Sequence, residues 1–175
     1  MGEKNKSMTT SGQLGTIATV LTIVFAALLV AAFFLPYASA VEEYRAVLGQ
    51  LSENPFGVAN EELADISLLE YVRIYLNAAP EAFVAVYVPL TVAPAVLGTL
   101  TLLFSSLRKP VPAIVFSVVT LGVTSLLSWD FEDRGVLPSD TYDWGVARWV
   151  YLASGVAVIA CAIWQIVLRR QARKS

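Results

Sequence analysis

The sequence contains no histidine and a single cysteine, Cys161. The first absence removes the commonest general base near neutral pH and the commonest metal ligand. It also rules out Ser–His nucleophilic chemistry. The second rules out a disulfide within these 175 residues and the paired thiols needed for quinone-linked thiol oxidation. Charge is scarce too. Asp, Glu, Lys and Arg make up 15% of the chain, against about 25% in an ordinary soluble domain. There is no glycine-rich phosphate loop, no HExxH motif and no CxxC pair.

What is present is apolar. Hydrophobic residues form 57% of the chain and the mean hydropathy is +0.65. They concentrate in four runs, 14–36, 81–107, 111–128 and 147–168, whose only charges are Glu81 and Arg148 at the outer ends of the second and fourth. A helix needs about 20 mostly apolar residues to cross the hydrocarbon core, and open sheet edges cannot face lipid. The expected fold is therefore all-α: an integral membrane four-helix antiparallel bundle with amphipathic helices in a long first extracytoplasmic loop. The first run follows a weakly basic tail but exceeds the 7–15-residue core of a signal peptide, so it reads as a span rather than a leader cleaved after Ala40. Met1-Gly2 lacks the Ser or Thr at position six that myristoylation requires, since Lys6 stands there.

Charge sets the expected orientation. Lys4 and Lys6 lie in the tail 1–13, Arg108 and Lys109 in the turn 108–110, and Arg169, Arg170, Arg173 and Lys174 in the tail 169–175. These eight face four on the other side, Arg45, Arg73, Arg134 and Arg148. The positive-inside rule places both termini in the cytoplasm and the segments 37–80 and 129–146 outside, with the protein multi-pass in the cell membrane. Of the 14 acidic residues, all but Glu3 fall on the outer side. All four lysines fall on the inner side, which removes an outward-facing Ser–Lys dyad.

The first outer segment carries two helical patterns. Val41, Tyr44, Val47, Leu48 and Leu51 recur at helical spacing over 41–52, and Glu53-Asn54-Pro55-Phe56-Gly57 reads as a turn. Ser67 and Glu70 form a capping box, with Ile66 and Tyr71 as the flanking staple, so a helix is expected over 68–77. Its apolar stripe includes Ile66, Leu69, Val72 and Tyr75. The second outer segment is short, acidic and bracketed by Trp129 and Trp144. Asp130 to Gly135 has glycine at position six, as a calcium-binding EF-hand loop does. Arg134 at position five and Thr141 at position twelve are not its ligands. The run reads instead as an acidic turn whose carboxylates are offset by Arg134 and Arg148. A long first outer loop, a tight inner turn and a short second outer loop are shared with claudin-like four-span proteins. The W-G-L-W and paired-cysteine signature of the claudins is missing, and no family is assigned.

Each span carries small or polar residues at alternating three- and four-residue spacing: Gly15, Thr19, Thr22, Ala26; Tyr87, Thr91, Pro94, Gly98, Thr101, Ser105; Ser117, Thr120, Thr124, Ser128; Ser154, Ala157, Cys161, Gln165. Such stripes let membrane helices approach closely. The expected function is non-enzymatic: an accessory or scaffolding subunit of a membrane complex, acting through association with a membrane-protein partner or a second copy. The alternative is a small channel or transport component working as a homo-oligomer. No cofactor, metal or nucleic acid is implied. The candidate interaction residues are Ile66, Leu69, Val72, Tyr75, Asp130, Glu132, Asp133 and Asp143. The orientation is checked by placing a cysteine at Glu61: a membrane-impermeant maleimide is expected to label it in intact cells, and labelling only after lysis overturns the topology.

Overall fold

The structure, a computed structural model, describes residues 2–51 and 54–172. Ser52 and Glu53, in the expected first loop helix and the turn after it, lie outside the described residues, as do Met1, Arg173 and Lys174. Four long helices dominate: α1 (Gly2–Ala31), α5 (Glu81–Ser106), α6 (Pro110–Asp133) and α7 (Val146–Ala172). Each contains a stretch long and apolar enough to cross a membrane, so the chain has the make-up of a multi-pass membrane protein. Helix α1 packs against α5 and α7, and α6 packs against the same two.

Polarity in these four helices is turned inside out. Thr22 of α1, Thr91, Thr101 and Ser105 of α5, Ser117, Thr120 and Ser128 of α6, and Ser154 and Gln165 of α7 are buried. Val20, Val24, Val86, Val96, Val115, Leu152 and Val156 are exposed. Lipid is as apolar as leucine, so helix contacts in a membrane come from close packing and from hydrogen bonds, not from hiding hydrocarbon. Most inward hydroxyls bond the carbonyl one turn back: Thr22 to Ala18 at 2.7 Å, Thr101 to Leu97 at 2.8 Å, and Ser105 to Thr101 at 2.7 Å. Two side chains bond across helices. Ser117 donates to the Gly155 carbonyl at 3.0 Å, and Gln165 Nε2 donates to Thr22 Oγ1 at 2.6 Å and the Ala18 carbonyl at 3.2 Å. Among the described residues, the Thr91 and Tyr151 hydroxyls are buried without a hydrogen-bond partner.

The stripes expected on α1, α5 and α6 are largely buried, apart from the half-buried Gly15 and Tyr87. On α7 the interior face is shifted. Ala157 and Cys161 are half-buried, while Gly155, Val158 and Ala162 take the inward positions. Two helices run past their expected ends. Helix α1 continues through the tail 2–13, which reads as loose on its polarity. That tail has no proline, and extending a formed helix is far easier than starting one. Helix α6 continues through Trp129–Asp133, read above as loop because of its charges. Asp130 and Arg134 pair one turn apart there, and Phe131 is fully buried, so that turn is anchored from both faces.

The chain is mostly helical, as expected, but an all-α fold does not include the small sheet at the end of the four helices. After a 3₁₀ turn (Ala32–Phe34) the chain enters β1 (Pro36–Ala40). Two further strands pair antiparallel with it, β2 (Asp65–Ser67) and β3 (Tyr142–Trp144), in the order β2-β1-β3. Ala38 lies opposite both Ile66 and Trp144. Three-residue strands are too short to show the two-residue alternation by which strands are recognised, and β1 reads PYASA, with little β-propensity of its own. The sheet exists because β1 supplies hydrogen bonds on both edges. Around it sit α2 (Glu42–Leu48), α3 (Asn60–Ala64) and α4 (Leu68–Ala78), the last with the Ser67–Glu70 capping box formed.

The sheet is fastened to α7 at Gly145, whose N–H donates to the Tyr37 carbonyl at 2.9 Å. A Cβ at Gly145 would fall 2.2 Å from the Pro36 carbonyl oxygen, so the two backbones touch. Gly145→Ala is expected to destabilise the detergent-solubilised protein by about 1–3 kcal/mol, read as a lowered thermal midpoint. The control Gly122→Ala, where a Cβ meets nothing within 4 Å, should be neutral or stabilising by up to about 1 kcal/mol.

Candidate functional site

The eight candidate interaction residues do not share one surface. Ile66 is buried in β2, and Leu69, Val72 and Tyr75 are half-buried on α4, which packs against α5. The Tyr75 ring stacks on Tyr87 of α5 at 5.7 Å. Its hydroxyl accepts a bond from Arg134 Nη2 at 3.2 Å. The apolar stripe of α4 is therefore spent largely on the ends of α5 and α6, and only Leu76 of this face is well exposed. The acids divide. Asp130 is held by Arg134, with Nε at 3.0 Å from Oδ2. Glu132 is exposed and lies 3.6 Å from Arg148. Asp133 and Asp143 are exposed.

Arg134 is the hub of the first cluster. Its guanidinium bonds Asp130 and Tyr75 and stands 4.3 Å over the Tyr87 ring, a cation–π contact. Burial alone would lower its pKa, but the bonds to Tyr75 and Asp130 more than offset this and leave it raised. Burial also raises the Tyr75 hydroxyl. A second cluster centres on Tyr37. Its ring is fully buried, edge-on to Phe131 at 5.7 Å and to Trp144 at 5.8 Å. Its hydroxyl is 2.8 Å from Ser128 Oγ and donates to the Thr124 carbonyl at 3.3 Å. Burial raises its pKa, so it remains a neutral donor at physiological pH. Tyr142, pushed up to about 12 by burial, donates to the Leu63 carbonyl at 2.8 Å.

Beside Tyr37, between α6 and α7, lies a cavity of about 250 Å³. Its floor is hydroxyl-bearing: Tyr37, Thr124, Ser125 and Ser128. Trp129 and Trp149 flank it, Glu132 and Arg148 stand at one end, and Leu121 and Leu152 lie at the other. It falls short of the roughly 300–1,000 Å³ typical of sites that enclose a drug-sized ligand. A second hollow of about 390 Å³ opens between α2 and α3, with Arg45, Leu48 and Glu61 on its wall. Among the described residues, no three His, Cys, Asp or Glu side chains are grouped to hold a metal ion. Sequence reading named Trp129 as a bracket of the second outer segment but did not bring Tyr37, Ser128 and Arg148 together. The only sequence signal was the spacing of Ser128 and Glu132, one helical turn apart, and Tyr37 is distant in sequence from both. No protein-family model, curated protein or solved structure matches the chain.

The sheet is braced to α2 by Arg45, which bonds both Asp65 carboxylate oxygens, at 2.8 and 3.0 Å. The Arg45 hydrogen bond holds Asp65 below the ordinary carboxylate pKa. A lowered folded-state pKa means stability present above the unfolded value, about 3.9, and lost as pH falls through the folded one. Acid titration below about pH 4, followed by tryptophan emission, is expected to destabilise the native protein more steeply than Asp65→Asn. Equal slopes would show that the pair contributes nothing to the cap, the small sheet with α2, α3 and α4 around it.

Proposed function

We propose that the four long helices form an antiparallel bundle in the cell membrane with both termini cytoplasmic. On this reading the protein is a non-enzymatic accessory or scaffolding subunit that works by association. The basic-residue asymmetry supports the orientation, and the ring of helix contacts supports the bundle. The observation that carries the functional reading is the engagement of the cap. Its arginines pair with its carboxylates, Arg45 with Asp65, Arg134 with Asp130, Arg148 with Glu132 and Arg73 with Glu62. Tyr37 and Tyr71 pack on Phe131 of α6, and Tyr75 stacks on Tyr87 of α5. Its outside carries exposed acids, including Glu61, Asp133, Asp140 and Asp143, beside the exposed apolar side chains of Val47, Leu51, Phe56 and Leu76. A preorganised charged surface of this kind favours recognition of a complementary, basic partner surface.

The test is mild-detergent purification of the full-length protein beside the double variant Asp133→Lys, Asp143→Lys. A membrane protein that co-purifies stoichiometrically with the parent, and is lost both from the variant and at high salt, is the expected result. A partner retained by the variant, or a parent that purifies alone, overturns the acidic-surface reading. Solute or ion flux through reconstituted protein, altered by substitutions at Thr120 or Thr124, would instead establish the channel alternative.

A further inference from the structure

The cavity between α6 and α7 has a graded polarity that no part of the association reading uses. Glu132 and Arg148 stand at its cap end. Ser125, Ser128 and Thr124 follow along α6, and Leu121 and Leu152 lie farthest from the cap. Eleven residues separate Glu132 from Leu121, about 16 Å of helix. The order is charge, then hydroxyl, then hydrocarbon. A phospholipid at the membrane interface has the same order: charged head, ester-bearing glycerol, acyl chain. The exposed rings of Trp129 and Trp149 place this groove at the depth where tryptophan collects, between headgroup and hydrocarbon.

The charges at the mouth narrow the class of lipid. Arg45 and Arg134 close hydrogen bonds onto their carboxylates. Arg148 and Glu132, by contrast, stand 3.6 Å apart, an ion pair without a hydrogen bond. The guanidinium lies 4.2 Å over the Trp144 ring, so it is held in place by its face while its N–H edge stays available. One fixed cation and one fixed anion side by side complement a zwitterion. A phosphate matches Arg148, and an ammonium bearing N–H donors matches Glu132. The half-exposed Glu132 carboxylate offers acceptors to an ammonium's N–H groups, which a quaternary ammonium does not have. That selects a primary ammonium over a quaternary one. Arg73 makes similarly open pairs with Glu62 and Glu70, but it does not line this groove.

We propose that the groove between α6 and α7 is a binding site for a zwitterionic phospholipid with a primary ammonium headgroup, of the phosphatidylethanolamine class. Arg148 takes the phosphate, Glu132 the ammonium, and the exposed Ser125 the glycerol esters. The acyl chain leaves along Leu121 and Leu152 into the bilayer.

The experiment reconstitutes the full-length protein, carrying Trp164→Phe to silence the tryptophan remote from the cap, into phosphatidylcholine vesicles. Brominated phosphatidylethanolamine, phosphatidylcholine or phosphatidylglycerol is added at equal mole fraction, and quenching of tryptophan emission is read. Phosphatidylethanolamine is expected to quench at about fivefold lower mole fraction than phosphatidylcholine, the size of a single interfacial charge contact. Glu132→Gln should bring the two lipids level, and Arg148→Gln should weaken both. Ser125→Phe, an exposed substitution on the groove wall, should reduce quenching by all lipids while leaving the helical circular dichroism unchanged. Equal quenching by the three lipids in the parent overturns the proposal, as does a preference for phosphatidylglycerol. A preference for phosphatidylethanolamine that survives Glu132→Gln, or quenching unchanged by Ser125→Phe, overturns it equally.

Discussion

The cap and the helices are joined through one side chain. Tyr37 is fully buried immediately after the first span, and its hydroxyl reaches Ser128 and the Thr124 carbonyl on α6. Its ring is wedged between Phe131 of α6 and Trp144 of β3, and its own carbonyl accepts the N–H of Gly145 at the head of α7. The residue thus joins the sheet, the end of α6 and the start of α7 at once. Leaving a buried tyrosine hydroxyl unpartnered is costly, and the bonds Tyr37 makes orient the strand on which the cap is built. The Arg134 cluster completes the arrangement by tying α4 to α5 and α6 around the same Phe131, against which Tyr71 packs at 4.9 Å.

Beneath the cap, the governing constraint is satisfaction of polar groups where water is excluded. Serine and threonine on α1, α5 and α6 meet it locally, by bonding back to their own helices. This leaves the helix faces narrow and smooth. Gly98 then brings α5 within contact of the Leu29 backbone, where a Cβ would stand 3.3 Å away. Two side chains instead bond across helices: Ser117 to the Gly155 carbonyl, and Gln165, a long amide directed across to α1, to both Thr22 and Ala18. Burying such an amide unpaired would cost about 1–3 kcal/mol, so it favours one register of α7 against α1.

These features were unequally legible in the sequence. The four spans and the inward stripes of α1, α5 and α6 follow from residue spacing, because a membrane helix must place small and hydroxyl residues where it meets its neighbours. Helix α4 was marked by Ser67 and Glu70, since a capping box is a local signal. The sheet was not legible. Its pairings join Ala38 to Ile66 and to Trp144, and three short segments distant in sequence leave no periodic trace. The direction of the α4 stripe was open for the same reason: Leu69, Val72 and Tyr75 declare an apolar face but not what covers it. The cavity combines Tyr37, Ser128 and Arg148 from three separate elements, so no single stretch announces it.

The order of strands in the sheet also constrains how the chain is made. Strand β1 lies in the middle, yet its partner β3 is synthesised about a hundred residues later, after α5 and α6. Until then one edge of β1 has no permanent neighbour, and an open edge is a template for wrong pairing. With five residues, led by a proline and rich in alanine, it offers a poor template. The weak strand character that hid β1 from sequence reading thus protects the nascent protein while it waits for its last strand.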